Sequence, residues 1–425
     1  MFHLPKNKRS VAIIAGLIGN IVEWYDFALY GFMAVIISRL FFPSDYGSLS
    51  LFATYGIFAS GFVMRPIGAG LFGWIGDTYG RSKTMIISVA MMMIPTFALG
   101  LLPTYKSIGI FAPILLVLIR LIQGLSVGGE FSSSVTYLVE TSPPKKRGLS
   151  GSWANVGSGA GMLLGSLAAS LATNFFSDAT LMAWGWRVPF LFGGILGGFS
   201  VMLRKNLPKS PHFVENKPKE RKTSPIKEVF SKNLKETMQG MIFASGYGAL
   251  FYLIMVYLPT WLNEYNGFLL KDVMKINTVA TAEIMLLIPL MGWISDRFIK
   301  RTHFVSISIV MIAIISFPMM MWLKGGSMIS AWVAQLVLAL FMAVISGVAP
   351  TMFAELFPSR DRRSGYSISF NVGMGMIGGS TPMIVTWLIS KTNITLIPAA
   401  YIVFWSFISL IGLFWMTDRS REPLR

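Results

Sequence analysis

The chain has 425 residues, of which 54% are hydrophobic and only 13% are charged. About a quarter of the residues in soluble domains are charged, so this composition excludes a soluble globular protein and indicates a polytopic membrane protein. The formal net charge of +17 would suggest a nucleic-acid partner on a soluble chain, but the apolar composition argues against one. The sequence contains no cysteine, which excludes disulfide bonds and thiolate metal sites.

Twelve stretches of the sequence are long and apolar enough to cross a bilayer, which requires about 20 mostly apolar residues. Open strand edges would find no hydrogen-bond partners in lipid, so these stretches are predicted to be α-helices. We therefore predict an all-α polytopic membrane protein. Its spans cover residues 11–41, 50–76, 82–103, 107–140, 148–173, 184–203, 237–262, 272–295, 302–323, 328–357, 364–390 and 394–417.

The loops are strongly asymmetric in their content of Lys and Arg. Basic residues collect in the N-terminal segment, in every second loop and in the C-terminal segment, which predicts that both termini are cytoplasmic. The implied location is the cell membrane, here a bacterial inner membrane. The longest polar stretch divides the chain into a predicted N-terminal six-helix bundle (1–203), a cytoplasmic linker (204–236) and a C-terminal six-helix bundle (237–425).

The predicted spans carry ionisable residues at membrane depth, where such residues face a cavity or a partner. In span one, Glu23, Asp26 and Tyr30 follow the i, i+3, i+7 pattern of one helix face. Span four carries Arg120, Gln123 and Glu130. Burial favours the neutral form of a carboxylate and a nearby Arg favours the charged form, so a cavity lined by these spans can couple proton binding to solute binding.

Two sets of site residues follow from this pattern. The predicted proton carriers are Asp26, Glu23 and Glu130, with Arg120 as a clamp for an anion or as the partner of a carboxylate. An alternative is that these charges neutralise one another as packing pairs. The predicted substrate-binding residues are Arg120, Gln123, Tyr30, Asn155, Arg65, Tyr247 and Asn371.

Turns with an acidic and then a basic residue recur in the two halves at nearly the same spacing, which indicates a duplicated six-helix unit with parallel repeats. An acid at a helix end that faces Arg on a neighbouring turn forms an ion-pair latch, which can hold one conformation and release it in another. The predicted latch residues are Asp77, Arg81, Glu140, Arg147, Asp296, Arg297, Glu355 and Arg363.

Several segments resemble a known family. The Gly73–Lys83 loop is similar to the signature loop of the major facilitator superfamily, although Thr78 departs from its pattern. In the second copy of this turn, which follows span eight, Ile299 departs from the pattern. More specific segments resemble the metabolite:proton symporter branch, which includes proline/betaine, citrate, 2-oxoglutarate and shikimate carriers. These segments are Gly19–Phe32, Arg120–Glu130, Gly185–Phe190 and Glu355–Pro358.

The resemblance implies the major facilitator fold and proton-coupled symport of a small organic solute by alternating access, without enzymatic activity. Arg65, Arg120 and Arg187 favour a carboxylate or polycarboxylate as the solute. The alternatives are a zwitterion such as proline or betaine, a carboxylate siderophore, or proton-driven export on the same fold. The expected partners are the solute, protons and the lipid bilayer. We expect no cofactor, no metal and no nucleic acid, and we expect the protein to function as a monomer.

Overall fold

The computed structural model describes residues 6–43, 47–79, 81–126, 130–205, 225–324, 326–359 and 361–424, and all regular elements within these ranges are helical. The α-helices are α1 (Lys6–Phe32), α2 (Ala34–Phe41), α3 (Ser48–Tyr79), α4 (Arg81–Leu101), α5 (Tyr105–Ile108), α6 (Phe111–Ser126), α7 (Glu130–Glu140), α8 (Arg147–Phe175), α9 (Asp178–Thr180), α10 (Arg187–Lys205), α11 (Pro225–Lys232), α12 (Leu234–Phe251), α13 (Leu258–Asn266), α14 (Leu270–Arg297), α15 (Arg301–Lys324), α16 (Met328–Leu356), α17 (Arg362–Phe370), α18 (Thr381–Thr392) and α19 (Ile397–Trp415).

The all-α membrane class is confirmed. Each of the twelve predicted stretches contains helix, and eight helical segments of the described chain are long and apolar enough to span a membrane. The first predicted span consists of two helical parts, Gly19–Phe32 and Ala34–Phe41, which are bent by 64° relative to each other. If these two parts are counted as one span, the number of such segments is nine. The count of twelve spans and the side on which the termini lie stay predictions.

We call the described residues up to 205 the N-terminal part and those from 225 onward the C-terminal part. Glycines bring the helices of the N-terminal part into backbone contact. A Cβ atom on Gly161 of α8 would lie 2.2 Å from the backbone oxygen of Ile21 in α1. A Cβ atom on Gly124 of α6 would lie 2.1 Å from that of Gly61 in α3. Small residues at such crossings allow close packing in membranes, and here they bring α1, α3, α6 and α8 into one tightly packed group.

The C-terminal part packs against this group. A Cβ atom on Gly292 of α14 would lie 2.6 Å from the backbone oxygen of Gly148 in α8, so these two helices cross without space for a side chain. Two segments of the C-terminal part are π-helical, Tyr252–Tyr257 between α12 and α13, and Asn371–Gly378 after α17. Such π-helical turns are frequent at functional sites because they reorient side chains within a helix.

Candidate functional site

Asp26 of α1 lies at the centre of a buried polar cluster. Its carboxylate accepts hydrogen bonds from Arg120 Nη1 (2.7 Å) and Gln123 Nε2 (2.8 Å) on α6, and from Thr96 Oγ1 (2.8 Å) on α4. The side chains of Asp26 and Arg120 are 1% and 0% exposed. The structure therefore brings together three residues that the sequence singles out, Asp26, Arg120 and Gln123.

Arg120 is surrounded by aromatic rings as well as by Asp26. Its guanidinium lies 4.3 Å from the ring centre of Tyr30 and 4.9 Å from that of Phe27, which is cation–π geometry. The Tyr30 hydroxyl donates a hydrogen bond to the backbone oxygen of Thr54 (3.1 Å). These side chains thus face one another inside the N-terminal part: Arg120, Gln123 and Tyr30. None of the three lines the cavity that lies between the N-terminal and C-terminal parts.

A second intramembrane ion pair joins α1 to α3. Arg65 Nη2 of α3 is 3.5 Å from Glu23 Oε1, and both side chains are 6% exposed. The Arg65 guanidinium lies 4.6 Å from the ring centre of Phe27 and 4.5 Å from that of Phe62. This pair lies next to the C-terminal part, because a Cβ atom on Gly375 would be 3.9 Å from Arg65 Cδ.

A small cavity of about 30 Å³ lies between the two parts of the chain. Helices α1 and α8 line it from one side, and α12, α14, α16 and the two π-helical segments line it from the other. Its aromatic and neutral polar lining residues are Trp24, Tyr247, Phe251, Asn155, Ser158, Thr281 and Ser346. Within the described residues no charged side chain lines it.

One polar contact of the cavity joins the two parts, and a second lies within the C-terminal part. Asn155 Nδ2 donates to the backbone oxygen of Ser346 (2.6 Å), and the Tyr247 hydroxyl donates to Ser346 Oγ (3.2 Å). The Trp24 ring meets the Phe251 ring edge-on at 5.8 Å. Asn155 and Tyr247 are therefore the two predicted substrate-binding residues that line the cavity. Asn371 instead donates back to Ser367 in its own helix.

Ion pairs join the two parts of the chain at one end of the cavity, which we call the charged end. Arg147 Nη1 is 2.9 Å from Glu355 Oε1, and Arg301 Nη1 is 3.4 Å from Glu355 Oε2. Asp296 is 2.7 Å from Arg301 Nη2 and accepts the backbone N–H groups of Gly148 (2.7 Å) and Leu149 (2.9 Å). Acidic residues of the C-terminal part thereby hold the first turn of α8.

Two ion pairs at the charged end involve Arg residues that are outside the predicted set of latch residues. Asp296 pairs with Arg301, whereas the Arg297 guanidinium lies over the ring of Trp293 at 4.8 Å, because residues four apart share a helix face. Glu140 pairs with Arg362 (2.6 Å), which the sequence prediction passes over in favour of its exposed neighbour Arg363.

Neutral contacts join the two parts at the other end, which we call the neutral end. Ser166 Oγ is 2.8 Å from Thr278 Oγ1, and the hydroxyl of Tyr55 is 2.7 Å from Thr260 Oγ1. An ion pair between Arg39 and Glu264 also occurs there, but the Arg39 side chain is 60% exposed. The two parts thus contact each other at both ends of the cavity.

Three predicted site residues have side chains outside the described part of the structure: Glu130, Asp77 and Arg81.

The sequence analysis did not predict some residues that the structure places in the clusters. Thr96 beside Pro95 is a polar residue in an apolar run, and Arg301 ends the repeated acid-then-basic turn, so both carried a readable signal. Thr281 and Ser346 carried none, because hydroxyl residues are common in membrane helices.

Comparison with known proteins is consistent with this geometry. The family model described as sugar (and other) transporter matches residues 11–245, and the model described as MFS/sugar transport protein matches residues 130–369. A proline/betaine transporter of Salmonella typhimurium is 32% identical over 99% of this chain and 86% of that protein. A glycine betaine/proline/ectoine/pipecolic acid transporter of Dickeya dadantii is 32% identical over 97% of this chain and 84% of its own length.

Solved structures match at the level of the fold. A D-xylose-proton symporter superposes with a TM-score of 0.76 at 18% identity, over 98% of this chain and 100% of that one. A human organic anion transporter superposes with a TM-score of 0.68 at 15% identity, over 97% and 100% of the two chains.

Proposed function

The chain belongs to the major facilitator superfamily of transporters, and we propose that it imports a small zwitterionic solute together with protons by alternating access. It is a multi-pass membrane transporter and not an enzyme. In this proposal twelve spans form two six-helix halves, the charged end and both termini are cytoplasmic, and the protein works as a monomer in a bacterial inner membrane.

The cavity is the observation that carries the proposal. It lies between the two parts of the chain, which contact each other at both of its ends, and is lined by aromatic rings, methionines and neutral polar groups. Aromatic faces attract onium groups, and hydroxyl and amide groups bind a carboxylate. A solute that carries both charges and no net charge fits this lining.

A zwitterion now has better support than the carboxylate or polycarboxylate predicted from the sequence. That prediction depended on Arg65, Arg120 and Arg187. The guanidinium groups of Arg65 and Arg120 lie against acidic side chains of α1, and Arg187 donates to the backbone oxygen of Leu102 (3.0 Å). None of the three residues lines the cavity. A polyanion would need unpaired cations in the cavity lining. The names of the relatives, among them proline/betaine and ectoine/proline transporters, agree with a zwitterion.

In this proposal, an acidic group couples proton binding to transport, and the contacts at the two ends of the cavity act as gates. The proposed proton-coupling group is one of the two acids that α1 carries at membrane depth, Glu23 or Asp26, and the role of Glu130 stays a prediction. Separation of Arg147 from Glu355 and of Glu140 from Arg362 would open the charged end. Parting of the Ser166–Thr278 contact would open the neutral end.

Uptake by purified protein in proteoliposomes tests the proposal. With an acidic exterior, we expect accumulation of labelled glycine betaine or proline, and we expect a protonophore to abolish it. Citrate and 2-oxoglutarate are the carboxylate comparison. Accumulation of a carboxylate without either zwitterion would refute the substrate assignment, and uptake that ignores the protonophore would refute proton coupling. Efflux only, under every gradient, would identify an exporter.

A further inference from the structure

The hydrogen bond from Asn155 to Ser346 joins the two parts of the chain at the cavity, and its two ends have opposite polarity. We infer that the zwitterionic solute inserts into this hydrogen bond. Its carboxylate replaces the Ser346 carbonyl as the acceptor of Asn155, and its cationic group replaces Asn155 at the Ser346 carbonyl. This inference depends on the proposed zwitterion transport and names the groups that recognise each end of the solute.

The acceptor of this hydrogen bond is a carbonyl that lacks its usual donor. In an α-helix each carbonyl accepts the N–H of the residue four positions later. For Ser346 that residue is Pro350, which lies inside α16 and has no N–H. The Ser346 carbonyl therefore depends on another donor, and in this structure Asn155 Nδ2 of α8 supplies it at 2.6 Å.

The donors around the cavity suit a carboxylate. Trp24, Asn155 and Tyr247 line it from three different helices and are 6%, 8% and 2% exposed. The Tyr247 hydroxyl donates to Ser346 Oγ (3.2 Å), so Asn155 and Tyr247 donate to two oxygens of a single residue. Trp24 Nε1 is buried and has no hydrogen-bond partner among the described residues. Because buried N–H groups are nearly always paired, this donor indicates an acceptor that the solute brings.

The remaining lining suits a cation. The Phe251 ring lies in the wall opposite Trp24, with the ring centres 5.8 Å apart, and methionines complete the wall. The face of an aromatic ring attracts a cation, and a carbonyl oxygen that has lost its donor does the same through its partial negative charge. A trimethylammonium group can be held by charge alone, and a secondary ammonium can also donate to the Ser346 carbonyl.

The hydrogen bond also connects solute binding to movement of the two parts. A cavity of about 30 Å³ holds little more than a water molecule, so the solute enters only when the parts separate. Separation breaks the bond, since Asn155 belongs to the N-terminal part and Ser346 to the C-terminal part. A zwitterion gives both groups a partner as the parts close again, whereas a solute with one charge leaves one group unpaired. The solute therefore favours the closed form, because only there does it contact both parts.

Competition with labelled glycine betaine on the purified full-length protein tests the inference. Choline lacks the carboxylate and tert-butylacetate lacks the positive charge, and we expect the wild type to bind each at least tenfold more weakly than betaine. Asn155→Leu removes the donor, so betaine should bind roughly ten- to a hundredfold more weakly and choline nearly as before. Pro350→Ala returns an N–H to the Ser346 carbonyl, so betaine should bind severalfold more weakly and tert-butylacetate as before.

Asn371→Leu and Pro318→Ala are the matched controls, since neither residue lines the cavity and Pro318 lies inside α15. We expect both to bind all three ligands as the wild type does. Thermal unfolding identifies the variants that are folded, and the wild-type comparison requires no variant.

The inference is overturned if the wild type binds either analogue as tightly as betaine, or if Asn155→Leu and Pro350→Ala leave betaine binding unchanged. Equal weakening of all three ligands by both variants would also contradict it, because each variant should affect one end of the solute. If the wild type binds neither betaine nor proline, the proposed function has failed, and that result is distinct from all of these.

Discussion

Arg120 holds the polar cluster of the N-terminal part through a single nitrogen. Nη1 donates both to Asp26 (2.7 Å) and to Gln123 (2.7 Å), whereas Nε and Nη2 have no hydrogen-bond partner among the described residues and lie beside the rings of Tyr30 and Phe27. The side chain therefore contributes a charge at one point and a flat surface elsewhere. Its substitutions separate these two contributions.

We predict that Arg120→Ala lowers the free energy of unfolding by about 3–5 kcal/mol, because it leaves the Asp26 carboxylate buried without its counter-charge. Arg120→Lys keeps a charge that can reach Asp26 but loses the flat contact with the rings, so it is expected to be less damaging. Thermal unfolding of the purified protein measures both. Asp26→Ala/Arg120→Ala should be more stable than the sum of its single variants implies, and strict additivity would contradict the ion pair.

The sequence predicted part of this cluster and could not predict the rest. The i, i+3, i+7 spacing placed Glu23, Asp26 and Tyr30 on one face of α1, and the structure places all three against charged partners. Which Arg meets which acid depends on the relative rotation of α1, α3 and α6, and spacing along one helix does not encode that rotation. For the same reason Arg120 was expected in the cavity but is sealed against Asp26.

Helix α8 begins at the charged end, and the backbone N–H groups of its first turn form part of the contact between the two parts. The first N–H groups of a helix have no partner within it, and here those of Gly148 and Leu149 donate to Asp296 of α14. A carboxylate at a helix N-terminus is also favoured by the helix dipole. The repeated acid-then-basic turns indicated a latch, but this helix cap between the two parts could not be read from the pattern.

The C-terminal tail after α19 lies across this latch. Arg147 Nη2 donates to the backbone oxygen of Glu422 (2.6 Å), and Arg301 Nη1 donates to that of Ser420 (3.4 Å). Burial opposes ionisation of Asp418, but hydrogen bonds from Ser420 and Thr302 outweigh it and hold the pKa of Asp418 below its usual range. Stability from this group is present above its ordinary pKa and is lost only as the pH falls through the lowered value, so the tail stays docked near neutral pH.

We predict that a chain ending at Thr417 opens the charged end more often than the full chain. Each lost hydrogen bond contributes roughly 0.5–1.5 kcal/mol, so opening is expected to rise on the order of tenfold. The sequence contains no cysteine, and Ser152→Cys places a single thiol at a buried position of α8 near this end. Its rate of maleimide labelling reports opening. Asp418→Asn should show a smaller increase, and equal labelling of full-length and shortened chains would contradict a role for the tail.

In the whole molecule, the two parts are held together at the two ends of the cavity by contacts of different chemistry. Ion pairs close the charged end, and hydroxyl and aromatic contacts close the neutral end. The charged end could be anticipated from the sequence because acids and bases are rare in membrane spans and their recurrence is visible. The neutral end could not, because Ser, Thr and Tyr are frequent in such spans and only the fold brings Ser166 to Thr278.

A disulfide at the neutral end tests alternation of the whole molecule. The hydroxyl oxygens of Ser166 and Thr278 are 2.8 Å apart, so sulfur atoms in their place would lie close to the roughly 2.0 Å separation of a disulfide bond. We predict that oxidation of Ser166→Cys/Thr278→Cys abolishes uptake, since the cavity can then open only at the charged end, and that a reductant restores it. Either single variant should transport with or without oxidant. Continued uptake by a fully cross-linked protein would show that the two parts need not separate at the neutral end, and alternating access between them would then be wrong.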